Sequence, residues 1–182
     1  MREAFDLFFS EEMMDLLLSS TNLKIEQTLS QQPQEALRDD TRLYLHTTEK
    51  CELYAVIGLF YYRGLMGLNN HSVHHIFSDR TGHPVLGGAM SRDRFYFLTS
   101  HLCFDDYRSR PERWEFDRFA AFRQFFELFS KECSKHITPS KYLFSDEILY
   151  PMRNQVAFRQ YNPDKPAKCG VLLKSLNDAR YS

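Results

Sequence analysis

The run Phe144-Ser145-Asp146-Glu147-Ile148 sets two adjacent carboxylates inside an otherwise apolar segment. An acid within an apolar strand costs free energy unless it is paired, bound to a metal ion or held at the sheet surface. Hard divalent cations are held by carboxylate oxygens. Successive strand residues point to opposite faces, so Glu147 faces away from Asp146. On the residues alone, Asp146 reads first as the end of a strand capping a turn, and second as a site residue. Basic residues follow it. Residues 151–182 hold Arg153, Arg159, Lys165, Lys168, Lys174 and Arg180 against Asp164 and Asp178, net +4. Residues 1–100 carry 9 Lys+Arg and 13 Asp+Glu, net −4, whereas 101–182 carry 14 and 11, net +3. A polyanion contact therefore belongs in the second half, although each of these cations taken singly reads first as a charge on a solvated strand face.

Other reactive types are less suggestive. His71, His74 and His75 have ligand-like spacing, but only Asp79 stands near, and the polar setting suits a loop or short helix. Cys51, Cys103, Cys133 and Cys169 are far apart, with no CxxC pair, which argues against a zinc site or a disulfide framework. The expectation is four buried free thiols in a reducing compartment.

The elements that would position these residues are mostly helical in the first two thirds. Ser10 caps a helix whose first turn holds Glu11 and Glu12. Phe9 is expected to staple onto Met14, and Met14, Leu18, Thr21 and Ile25 form a stripe with Leu17 beside it. The polar, proline-broken SQQPQEALRDDT reads as a loop. A second helix follows Thr48, with Leu53, Val56, Ile57, Phe60 and Tyr61 as its buried face. HSVHHIF is a short helix, TGHPVLGG a loop, and Ser91 starts a third long helix carrying Phe95, Leu98 and Leu102. FDDYRSRPERWEFDR reads as an ordered loop. A fourth helix runs from about Phe119 to Lys135, with Phe122, Phe125, Phe126, Phe129 and Cys133 as a core face. Beyond Pro139, KYLFSDEILY, VAFRQY and CGVLLKSL read as strands, the last apolar on both faces and so central.

With 182 residues, 26% charged and 43% hydrophobic, the composition is globular, not disordered or collagen-like. No apolar run approaches the roughly 20 residues that span a bilayer, and acids within MREAFDLFFSEE argue against a secretory leader.

Three long segments, in order, carry a resemblance. AFDLFFSEEMMDLLLSSTN, GAMSRDRFYFLTSHLCFDDYRSRP and KYLFSDEILYPMRNQVAFRQYNPDKPAKCGVLLKSL resemble the piggyBac-type transposases, a group of DDE/D transposases with an RNase H-like catalytic core. The likeness covers nearly the whole chain and is loosest over 28–50 and 69–88. It implies an α+β, mainly α fold: a helical dimerisation and DNA-binding-like domain over 1–138, then an incomplete RNase H-like β-meander of about three strands over 139–182. It implies that Asp146 is the first of three catalytic aspartates and a ligand of Mg²⁺, in a two-metal reaction that clamps attacking and leaving oxygens. It implies that Arg159, Lys165 and Lys168 lie near the site, able to meet DNA phosphate.

The departures from the family pattern set a further expectation. The second and third acids, the cysteine-rich zinc module and the polar amino-terminal tail fall outside these residues, Asp178 is not one of the acids, and Met152-Arg153-Asn154-Gln155 lacks the family's glycine turn. The polypeptide is therefore expected to be a transposase part, or a domesticated binding module or relic, that does not cut DNA by itself. Transposon-end DNA, a second copy or another transposase-derived chain are the implied partners, with no membrane contact, and the nucleus is the implied location.

Overall fold

The structure is a computed structural model that describes residues 2–32, 42–78, 80–136, 138–152, 156, 158–166 and 168–180. The expected loop over 33–41, Asp79 and Arg153-Asn154-Gln155 lie outside the described residues. The chain divides into two compact units, one of Ser10–Arg108 and one of Met1–Phe9 with Ser109–Ser182. The units divide at 9/10 and at 108/109, both within the stretch read from sequence as 1–138.

The first unit is helical. Helix α2 (Glu11–Ser30) starts at Ser10, whose hydroxyl accepts the Met13 N–H at 3.4 Å, and buries Met13, Met14, Leu17, Ser20, Thr21 and Ile25. Helix α3 (Lys50–Leu65) buries Leu53, Val56 and Leu59. Phe60 and Tyr61, expected in the core, are exposed instead. The buried stripe is centred on Val56, and at 100° per residue Tyr61 stands roughly 140° away from it. Helix α4 (Val73–Ile76) follows Ser72, and α6 (Arg92–His101) follows Ser91, each serine accepting an N–H three residues on at 3.2 Å. Between them the expected loop TGHPVLGG contains a helix, α5 (Pro84–Ala89). Pro84 sits in its first turn, where a missing N–H costs nothing. Ile25, Val56, Leu59, Ile76, Leu86, Phe95, Phe97 and Leu98 make the core.

A buried arginine ties this unit together. Arg94 is 5% exposed. Its guanidinium meets both oxygens of Glu52 (2.6 and 3.0 Å) and donates to the carbonyls of Tyr44 (2.7 Å), His46 (2.7 Å) and Thr47 (2.9 Å). The planar fork suits this task, since five fixed N–H groups satisfy a carboxylate and three carbonyls at once. Asn22 pins the end of the same segment by donating to the Thr48 carbonyl (2.9 Å) and accepting its N–H (2.7 Å).

The second unit holds α1 (Arg2–Asp6), α7 (Arg110–Phe116), α8 (Ala120–His136) and three strands. Phe9 stacks on Phe5 at 4.3 Å and lies 6.3 and 5.9 Å from Phe125 and Phe129 of α8. FDDYRSRPERWEFDR, read as a loop, contains α7, with Pro111 in its first turn. On α8 itself Phe125 is buried, whereas Phe126 is exposed.

Strands β1 (Leu143–Pro151), β2 (Gln160–Tyr161) and β3 (Cys169–Asp178) form an antiparallel sheet in the order β1-β3-β2. The doubly apolar third strand is the central one, as its sequence implies. That order departs from a simple meander, in which β2 would lie in the middle. Among the described residues of the expected strand VAFRQY, only Gln160 and Tyr161 are paired in the sheet, and Arg159 turns back to donate its N–H to the Val156 carbonyl at 3.1 Å. The fold is α+β and mainly α. Among the described residues no helix is long and apolar enough to cross a membrane.

Candidate active site

Asp146 lies in β1 directly opposite Ser175 of β3, and Glu147 opposite Lys174. Strand alternation puts Asp146 on one face with Phe144, Ile148, Tyr150 and Leu173, which are 42%, 44%, 56% and 38% exposed. The acid therefore stands among exposed apolar side chains, with Ser175 and Asn177 of β3 on the same face. Its Oδ1 accepts the Glu147 N–H at 2.7 Å, and its own carbonyl accepts the Ser175 hydroxyl at 3.4 Å. Glu147 points to the other face and pairs with Lys174 at 3.3 Å. That partner was not legible in sequence, because the register links residues about 30 positions apart.

Of the expected phosphate-binding cations, Lys165 is engaged: its ammonium donates to the Glu147 carbonyl at 2.8 Å, one residue from Asp146. Lys168 is exposed on the turn that leads into β3, its carbonyl accepting the Asn162 N–H at 2.8 Å. Arg159 is exposed just before β2. Asp178 holds the start of β1 to the end of β3 by accepting from the N–H and hydroxyl of Ser140 (2.6 and 2.7 Å) and from the Arg180 N–H (3.0 Å). The Arg180 N–H and the Ser140 hydroxyl hold its carboxyl below the usual aspartate range. Its role here is that of a latch.

Mg²⁺ calls for several carboxylate or carbonyl oxygens in octahedral array. Asp146 supplies one such side chain. Among the described residues no group of three or more His, Cys, Asp or Glu side chains is placed to hold a metal ion. These residues therefore do not make a two-metal centre. His71 and His75 stack at 5.1 Å. The cysteines are free, but only Cys103 is buried, and Cys51 and Cys169 are exposed, contrary to the expectation of four buried thiols. Burial pushes the Cys133 thiol above its ordinary value.

The family model described as Transposase IS4 matches residues 2–181. No curated protein matches the chain. The cryo-EM structure of a piggyBac transposase synaptic complex with hairpin DNA is similar to this chain over 98% of its length, with a TM-score of 0.87 and 31% identity. The chain spans 36% of that protein's chain.

Proposed function

We propose that this chain, which belongs to the Transposase IS4 family, is a DNA-contacting part of a piggyBac-type transposition machinery and presents the first acid of a three-aspartate set. The observation that carries the reading is the likeness, over 98% of the chain, to a piggyBac transposase in complex with hairpin DNA. In this reading 1–138 serves dimerisation and DNA binding, and 139–182 opens an RNase H-like catalytic core. Asp146 is the acid, and Arg159 and Lys168 meet DNA phosphate. Lys165 supports the strand that carries the acid. DNA cleavage and strand transfer belong to the intact enzyme, with Mg²⁺ held only once carboxylates from outside the described residues join Asp146. A nuclear location belongs to the same proposal.

The test is duplex binding by the purified chain across a salt series. Neutralising two or three phosphates gives a log–log slope of about −2 to −3, and Lys168→Ala or Arg159→Ala each make that slope shallower by about one. Binding too weak to detect at low salt, or affinity indifferent to salt, would sink the proposal. Mg²⁺-dependent nicking by the chain alone that persists in Asp146→Ala would overturn the assignment of the acid.

A further inference from the structure

The histidines at 71, 74 and 75 have no part in the site around Asp146. His71 and His75 bring their rings together, with centroids 5.1 Å apart and planes inclined by 17°. His74 instead lines a cavity beside Val73 and Tyr96. The backbone under the pair is fixed. A left-handed Gly67 (φ 68°) leads into a 3-10 turn over Leu68–Asn70. The Arg63 guanidinium, from α3, donates to the carbonyls of Leu68 (3.2 Å), Asn69 (3.3 Å) and His71 (2.6 Å). The His75 N–H donates to the Ser72 hydroxyl at 3.2 Å and to the Ser72 carbonyl at 3.0 Å. Both rings are exposed, so they are paired by the path of the chain and not by packing in a core.

Their nitrogens have few protein partners. Among the described residues no group hydrogen-bonds a ring nitrogen of His71, and the one contact to the His75 ring is Thr81 Oγ1 at 3.5 Å from Nδ1. With Thr81 accepting the Nδ1 proton, Nε2 of His75 presents a lone pair, the arrangement that an outer hydrogen bond imposes on a metal-binding imidazole.

The spacing suits one shared ion. A Zn–N bond of about 2.0–2.1 Å and a ring radius of about 1.1 Å put the ion about 3.2 Å from each centroid. Centroids 5.1 Å apart then subtend about 105° at the ion, near the tetrahedral angle. Turning an imidazole about its Cβ–Cγ bond swings the nitrogens and hardly moves the centroid. The separation therefore persists while exposed rings turn their nitrogens inward.

We infer that His71 and His75 form a two-imidazole site for a divalent cation of the Zn²⁺ class, with water in the remaining positions. Structural zinc sites use four protein ligands, so this one exchanges its ion with solvent. Once bound, the ion ties the turn at 68–71 to α4. The site lies in the helical unit Ser10–Arg108 and does not rest on the transposase reading.

Equilibrium dialysis of the full chain against Zn²⁺ tests it. His71→Ala and His75→Ala should each bind one ion fewer per chain than the wild type, and His74→Ala should match the wild type. Exposed Cys51 and Cys169 also take Zn²⁺, equally in all four proteins, so the difference isolates the pair. In wild-type nuclear magnetic resonance spectra the ring protons of His71 and His75 should shift together as Zn²⁺ is added, and those of His74 should stay. An unchanged ion count in either single variant overturns the inference. So does an equal loss in His74→Ala. Both side chains are exposed, so the alanine variants should keep the wild-type helical circular dichroism. If one does not, the wild-type ring protons decide, and rings that Zn²⁺ leaves unmoved overturn the site.

Discussion

Replacing Arg94 by alanine should be the most damaging single change in the helical unit. The substitution removes a guanidinium that is 5% exposed and makes five contacts of 2.6 to 3.0 Å. Breaking a buried ion pair from one side costs roughly 3–5 kcal/mol, because the other charge stays buried without its partner. Glu52 keeps some water, its side chain being 28% exposed, and it retains the Thr48 hydroxyl at 2.8 Å. That moves the pair toward the lower end of the range. The three carbonyls of 44–47 lose their donor too, and water recovers part of that loss as the segment loosens. The sum is about 3–4 kcal/mol, a large share of the ~5–15 kcal/mol that holds a domain folded. In a unit of this size it lowers the melting temperature by about 15–25 °C. Thermal and urea unfolding followed by far-ultraviolet circular dichroism measure it. Arg94→Lys should fall between the two, since one ammonium cannot span the fork.

The pH arm has a defined sign. The Arg94 guanidinium holds the Glu52 carboxyl below its ordinary value. Stability from this pair is therefore present above the unfolded value of about 4.3 and is lost as pH falls through the lower, folded value. That acid limb should be smaller in Arg94→Ala. A loss below 1 kcal/mol with an unchanged acid limb would refute the claim that this arginine organises the unit.

Two further changes test the second unit. A β-carbon at Gly170 would run into the carbonyl of Tyr150 on the neighbouring strand. Gly170→Ala should cost about 1–3 kcal/mol, and amide exchange along β1 and β3 should accelerate, whereas wild-type protection would show that the strands part more easily than their packing suggests. Asp117 accepts the Phe119 N–H at 2.9 Å and both prongs of Arg123 at 2.8 and 2.9 Å. Arg123 chiefly, then the Phe119 N–H, holds its carboxyl down at about 2. Asp117→Ala should loosen the α7–α8 turn at a cost of about 1 kcal/mol, as for a lost helix cap, little of it from the half-exposed ion pair. The stabilisation is present above an unfolded value of about 3.9 and fades as pH falls toward 2. Exchange at the Phe119 amide, followed between these limits, reads it directly, and a flat profile would count against the turn's dependence on the carboxylate.

The parts of this fold legible in sequence are those decided within a few residues. Ser10, Ser72 and Ser91 each accept an N–H three positions on, a contact that needs no distant partner. Pro84 and Pro111 misled for a related reason: proline breaks a helix interior but fits a first turn, and local sequence did not decide between these. The contacts that matter most are remote. Arg94 and Glu52 lie 42 positions apart, and Lys165 meets Glu147 across 18. The apolar pattern around Asp146 showed that a strand was there. Only its pairing with 169–178 shows that Ser175 stands opposite the acid.

The amino-terminal segment completes a unit whose remainder is made last. The Leu7 carbonyl takes its bond from His136, 129 residues later in the chain, at 3.1 Å, and Phe8 meets the same imidazole edge-on at 5.8 Å. At ribosomal speeds of about 5–20 residues per second, these aromatics wait on the order of ten seconds for their seat to be synthesised. In that interval they are open to chaperones or to a neighbouring nascent chain. Trimming or tagging the first nine residues would accordingly register along α8, where Phe125, Phe129 and His136 receive them, before it disturbed the helices that follow directly in the sequence.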